Sequence, residues 1–233
     1  MLDDTRAEMI SVLKRAVKTV EAGTGRGALP TGVEAIDTAL PEGGLALGSL
    51  HEFSGEAATG FVLALLGALE REVLWCTGPR AVNLYPPGLG RFGLDPDRLV
   101  VACPPKKQDA LWIAEEAMKS GAVGSIVLEA DFTVALAQSR RLQLAVEQSR
   151  CFGAILYGGA DARQLGTTAA RTRWRVSPCP GPGIRWRLEL QRNRGGGTST
   201  WEVSWHGTED DTAHRFALVS EARNRPPGAQ DAA

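Results

Sequence analysis

From residue 29 onward the chain alternates short β-rich runs with longer stretches of helical pattern, and this rhythm restricts the fold more than any other feature. The β-rich runs fall at 49–53, 73–77, 99–103, 125–129 and 154–157. Strands spaced by helical stretches predict βαβ units, and so a mostly parallel twisted sheet flanked by helices. The most periodic helical stretch, 133–150, carries apolar residues at Val134, Leu136, Ala137, Leu142, Leu144, Ala145 and Val146. After Gly166 the period changes to two, in runs at 172–177, 184–190, 201–205 and 215–219. That change predicts carboxy-terminal antiparallel strands extending the same sheet, with Gly195, Gly196 and Gly197 forming a hairpin between the second and third runs.

The two ends read differently. Residues 5–22 have the pattern of an amphipathic helix: Thr5 and Glu8 are spaced as a capping box, and Met9, Leu13, Ala16 or Val17 and Val20 recur at helical spacing. Gly23, Gly25 and Gly27 follow, so residues 1–27 are expected to be a helix on a tether, either docked on a neighbour or folded back on the core. Residues 28–222 make the core domain, and 223–233, with Pro226, Pro227 and Gly228, make a disordered tail.

The size and composition suit one α/β domain: 233 residues, 43% hydrophobic and 23% charged. The apolar runs fall short of the roughly 20 residues a bilayer demands. With Asp3 and Asp4 near the start and no secretory signal, the expectation is a cytoplasmic protein. Cys76, Cys103, Cys151 and Cys179, and His51, His206 and His214, show no zinc-ligand spacing, so no metal site and no cofactor are expected. The net charge of −1 conceals an asymmetry: residues 140–194 hold eleven arginines against three acids, a local surplus of eight positive charges.

Between the strand 49–53 and the helix 61–69 lies Ser54-Gly55-Glu56-Ala57-Ala58-Thr59-Gly60. A strand, a G-x-x-x-x-G loop and a helix start form the frame of a phosphate cradle, in which backbone N–H groups and the helix dipole receive the anion. Chemistry on a triphosphate needs a lysine and a Ser or Thr directly after the second glycine; here the chain has Phe61 and Val62. Glu56 adds negative charge inside the loop, and residues 73–94 contain no Asp or Glu to polarise water. Glu129 ends its strand where a Walker B carboxylate would stand, leaving a structural remnant and a magnesium ligand as competing readings. The expectation is a degenerate Walker A loop in a protein that is not an enzyme.

The segment Thr31-Gly32-Val33-Glu34-Ala35-Ile36-Asp37, followed by Gly43-Gly44-Leu45 and Gly48-Ser49-Leu50-His51-Glu52-Phe53-Ser54-Gly55, resembles the entry to the ATP site of RecA recombinases. The likeness continues through Gly93-Leu94-Asp95 and on to Ser120-Gly121-Ala122-Val123. Within that superfamily, Leu74-Trp75-Cys76, Leu84-Tyr85-Pro86-Pro87-Gly88-Leu89 and Leu111-Trp112-Ile113-Ala114-Glu115-Glu116-Ala117 look most like the ImuA family, relatives of RecA and of the division inhibitor SulA. The resemblance implies a RecA-like core. It also implies a non-catalytic adaptor role in error-prone translesion synthesis and SOS-induced mutagenesis. The partners it implies are the Y-family polymerase homologue ImuB, an error-prone replicative-type DNA polymerase reached through it, and RecA. Two alternatives stay open, a regulator that caps RecA filaments and an unorthodox ATPase.

Arg171, Arg173 and Arg175 alternate with Thr172, Trp174 and Val176, and Arg185 and Arg187 alternate with Trp186 and Leu188. Strand alternation puts the arginines on one face and the tryptophans inside. The ribbon reads either as a surface for DNA or an acidic partner, or as a solvated face neutralised by Glu209-Asp210-Asp211. Arg192 and Arg194 stand where the RecA resemblance implies a contact between copies of the chain.

Overall fold

The structure, a computed structural model, describes residues 27–78, 84–158, 165–207 and 215–222. The helix expected at 5–22, the acidic run 209–211 and the tail 223–233 lie outside the described residues.

The chain opens with β1 (Ala28–Leu29), a single helical turn α1 (Glu34–Asp37) and β2 (Leu45–Ala46), the two strands pairing with each other as a small antiparallel ribbon. The parallel half follows: β3 (Ser49–Ser54), α2 (Ala58–Gly67), β4 (Val73–Thr77), α3 (Pro86–Arg91), β5 (Leu99–Ala102), α4 (Lys107–Ser120), β6 (Ser125–Ala130), α5 (Leu136–Ser149) and β7 (Phe152–Tyr157). The last four strands are β8 (Thr172–Pro178), β9 (Ile184–Asn193), β10 (Ser199–Trp205) and β11 (Phe216–Ala222). Among the described residues nine strands form one mixed sheet in the order β11-β10-β9-β8-β3-β7-β6-β4-β5. β8 is the joint, parallel to β3 on one side and antiparallel to β9 on the other.

The burial pattern explains this division. β3, β4 and β7 are buried throughout, as strands covered on both faces must be. Side chains of β3, β4, β6 and β7 alternate between two cores: Phe53, Trp75, Val127 and Ala154 meet α2 on one face, while Leu50, Leu74, Ile126 and Ile155 meet α4 and α5 on the other. β8 and β10 alternate strictly between buried and half-buried, so the antiparallel half has one apolar face, continuous with the α2 side. Among the described residues no helix is long and apolar enough to cross a membrane.

Differences from the sequence reading sit at element boundaries. α2 begins at Ala58 rather than 61, which brings Thr59 and Gly60 into its first turn. α5 begins at Leu136 rather than 133, where Gln138 Oε1 accepts the Ala135 N–H at 2.8 Å. α1 and α3, each under two turns, are too short to display periodicity and were not anticipated.

One buried polar chain ties the parallel strands to β8. Trp174 Nε1–H donates to Thr172 Oγ1 at 2.8 Å, Thr172 Oγ1 lies 2.8 Å from His51 Nδ1, and His51 Nε2 lies 2.9 Å from the Ala46 carbonyl. The carbonyl can only accept, so Nε2 carries the proton and Nδ1 accepts from the threonine. Burial pushes His51 down to about 4 from an ordinary 6.5. The unfolded chain therefore binds the extra proton between those values and the folded chain does not, so stability falls as pH drops from about 6.5 to about 4. The full window is worth about 3 kcal/mol as an upper bound. His51→Gln is expected to flatten the pH dependence of the urea midpoint across this window relative to the wild type; an identical slope contradicts the assignment.

Candidate functional site

The loop after β3 is built by close approach of β8. Gly55 has a φ of 100°, and a Cβ there would lie 2.3 Å from the Val176 carbonyl oxygen, so only glycine fits. The Ala57 N–H donates to that same carbonyl at 3.2 Å, and the Ala58 N–H to the Gly55 carbonyl at 3.2 Å. A donor that a phosphate cradle turns towards its anion is here turned towards β8. Glu56 is exposed, Ala58 is buried, and Ala57, Thr59 and Gly60 are half-buried.

The next two residues point into the core. Phe61 and Val62 are both buried. The Phe61 ring lies 6.1 Å from Phe53, 6.5 Å from Trp174, 5.8 Å from Trp186 and 5.6 Å from Phe216, centroid to centroid. Phe92 and Trp186 stand over Gly60, each 3.4 Å from where a Cβ would be. Edge-on and tilted aromatic contacts of this kind add roughly 0.5–1.5 kcal/mol per pair beyond area burial. An ammonium group at position 61 would have to enter this cluster without a counter-charge.

Glu129 lies near the carboxy-terminal edge of the sheet, opposite Thr77 in register. Its Oε2 accepts the indole N–H of fully buried Trp75 at 2.8 Å. A buried indole needs an acceptor, and Glu129 supplies it. Asp131 lies beside the turn after β4: a Cβ on Gly78 would be 3.1 Å from its Oδ1. Among the described residues no three His, Cys, Asp or Glu side chains gather as a metal site would require.

Across β8 and β9 the tryptophans Trp174 and Trp186 are buried on the α2 face, and Arg173, Arg175, Arg185 and Arg187 lie on the other. The structure pairs most of this arginine set internally. Arg171 bonds Glu42 through two guanidinium nitrogens. Arg173 Nε donates to Glu52 Oε2 at 2.6 Å, and its two remaining nitrogens reach the Leu165 and Gly166 carbonyls at 3.3 and 2.9 Å. Arg175 faces Glu189 in register, and Arg187 bonds Glu202 at 2.7 Å and holds that carboxyl below its ordinary value. The Tyr157 hydroxyl lies 3.4 Å from Glu52 Oε1, and burial, reinforced by that carboxylate, pushes the phenol well above its usual range. Arg185 Nε has no hydrogen-bond partner among the described residues. Arg192 and Arg194 are exposed, and Arg192 Nε donates to the Ala170 carbonyl at 3.2 Å.

Glu42, Glu52 and Glu202 were missed as counter-charges from sequence. Glu42 and Glu52 stand 129 and 121 residues from their arginines. Glu202 meets Arg187 only through the β9–β10 register, and strand alternation was the one signal available for it.

No family model matches the chain. It is 34% identical over 247 aligned residues to Protein ImuA of Caulobacter vibrioides, covering 91% of this chain and 98% of that protein. It is also 30% identical over 141 residues to Protein RecA of Cutibacterium acnes, covering 53% of this chain and 40% of that protein. With Protein RecA of Frankia casuarinae the figures are 32% over 108 residues, 44% of this chain and 31% of that protein.

The two kinds of arginine pair make a quantitative contrast. Glu52 is 1% exposed, so Arg173→Ala strands a buried carboxylate and is expected to cost about 3–5 kcal/mol of unfolding free energy. Arg187→Ala breaks a solvent-screened surface pair and is expected to lower the urea midpoint far less than Arg173→Ala does. Phe61→Ala is expected to cost about 3–5 kcal/mol through the cavity it leaves. Urea unfolding of the three variants checks the order; equal losses for Arg173→Ala and Arg187→Ala contradict it.

Proposed function

This chain belongs to the ImuA family, and on that premise we propose that it is a non-catalytic accessory protein of damage-induced mutagenesis. In this reading the RecA-like core is a scaffold. It joins an ImuB-type, Y-family polymerase homologue and, through it, an error-prone replicative-type polymerase, with RecA as a further contact. The loop after β3 is a degenerate Walker A motif in a pseudo-ATPase that works in the cytoplasm.

The observation that carries the reading is Phe61. Phosphoryl transfer depends on a cation and a metal-ligating hydroxyl placed against the β and γ phosphates. At those two positions this chain has a phenyl ring and an isopropyl group, both buried and facing away from the loop. The Glu129 carboxylate, the remaining candidate for chemistry, is engaged by Trp75.

Glu129→Gln separates structure from catalysis, because an amide oxygen still accepts the Trp75 indole N–H while no carboxylate remains to hold magnesium or polarise water. The expected result is an unchanged damage-induced mutation frequency in cells carrying the variant, and unchanged co-purification with the ImuB-type protein whether or not Mg-ATP is present. Lost mutagenesis with a normally folded variant, or partner capture that requires Mg-ATP, overturns the non-catalytic reading.

A further inference from the structure

With Arg171, Arg173 and Arg187 held in ion pairs, the uncompensated positive charge of the 140–194 region converges elsewhere. A cleft of about 580 Å³ runs between α5 and the segment leading into β8, with Arg140 on one wall and Arg192 and Arg194 on the other. Among the described residues none of these three arginines has an acidic partner. Between them lies Leu144, 61% exposed although it belongs to an otherwise regular amphipathic helix. Thr168 and Glu147 complete the lining that matters.

The walls are tied together before any ligand arrives. The Ala169 N–H donates to Ser139 Oγ of α5 at 3.0 Å, and Arg173 clamps the Leu165 and Gly166 carbonyls just upstream. Gln143 accepts the Leu50 N–H of β3 at 2.9 Å and donates to Glu147 at 2.9 Å, fixing the back of the cleft. A backbone ordered in this way has little further conformational entropy to lose on binding.

We propose that this groove is a docking site for an acidic peptide segment of a protein partner, one that carries an apolar anchor. Guanidinium forks pair with carboxylates in bidentate geometry, which suits three arginines that have no acidic partner among the described residues, Arg192 keeping its two terminal nitrogens beyond the Nε bond to the Ala170 carbonyl. An exposed leucine in their midst gives an apolar side chain a place to bury. A single nucleic-acid strand fits this lining less well: among the described residues no aromatic side chain lines the groove for bases to stack on. The inference rests on the adaptor reading and deepens it, by naming the chemistry of one docking partner.

The test uses the full chain and fluorescence anisotropy with three labelled probes: a peptide of Asp and Glu around one leucine pair, the same peptide with lysines for the acids, and a mixed-sequence single-stranded oligonucleotide. The acidic probe is expected to bind at least about tenfold more tightly than the lysine probe, with affinity falling as salt rises. Arg192→Glu combined with Arg194→Glu, and separately Leu144→Asp, are each expected to weaken it roughly tenfold or more. Arg140→Gln serves as a milder variant if the charge reversals disturb folding, and Arg185→Ala, outside the groove, is expected to leave binding unchanged. Equal binding of the acidic and lysine probes, indifference to the groove substitutions, or tighter oligonucleotide binding that ignores Leu144→Asp overturns the proposal. A wild-type chain that ignores the acidic probe yet still co-purifies with the ImuB-type protein removes the groove and leaves the adaptor reading standing.

Discussion

The packing of Phe61 against aromatic rings from four strands is the contact on which the rest of the structure depends. Phe53 belongs to β3, Trp174 to β8, Trp186 to β9 and Phe216 to β11, so one side chain from α2 joins the parallel and antiparallel halves of the sheet. It adds a side-chain tie on the α2 side of the core to the backbone pairing of β3 with β8. The same contact determines what the neighbouring loop can do. A position buried among phenyl and indole rings cannot also extend a cation to an anion, because an unpaired charge there carries a desolvation penalty of several kcal/mol. On the proposed reading, architecture and the absence of a phosphate clamp are two consequences of one aromatic residue at this position.

The arginines follow a related logic on the opposite face. Some are structural cations: Arg173 neutralises Glu52 within the sheet and secures the backbone at Leu165 and Gly166, and Arg171 secures Glu42. Others, Arg192 and Arg194 at the end of β9 and Arg140 on α5, have no acidic partner among the described residues and line a preformed cleft. Charge counting along the chain does not separate the two groups. Burial and pairing do, and they relocate the candidate interaction surface from the flat strand face to the groove beside α5.

Much of the fold was legible because its strands are short, strongly apolar and separated by helical pattern; 73–77 matches β4 residue for residue. The switch to period two after Gly166 foretold the antiparallel half, since a single apolar face leaves an alternating trace in sequence. The apolar character of Phe61 and Val62 was visible as well, but not where their side chains would go. Neither was the role of Glu129, since the partner Trp75 lies 54 residues away and no local pattern links them. The groove was hidden for the same reason: Arg140 comes from a helix and Arg192 and Arg194 from a strand end, and only the fold brings them together. A β-bulge between Arg173 and Trp174 also shifts the β8–β9 register, so a simple alternation count misplaces the residues beyond Leu190.

The central claim is that aromatic packing at position 61 leaves no seat for a triphosphate, and calorimetric titration of the full chain with Mg-ATP tests it most directly. The expected result is no saturable binding heat up to millimolar nucleotide and no released phosphate. Saturable binding in the micromolar range, accompanied by hydrolysis, would contradict it.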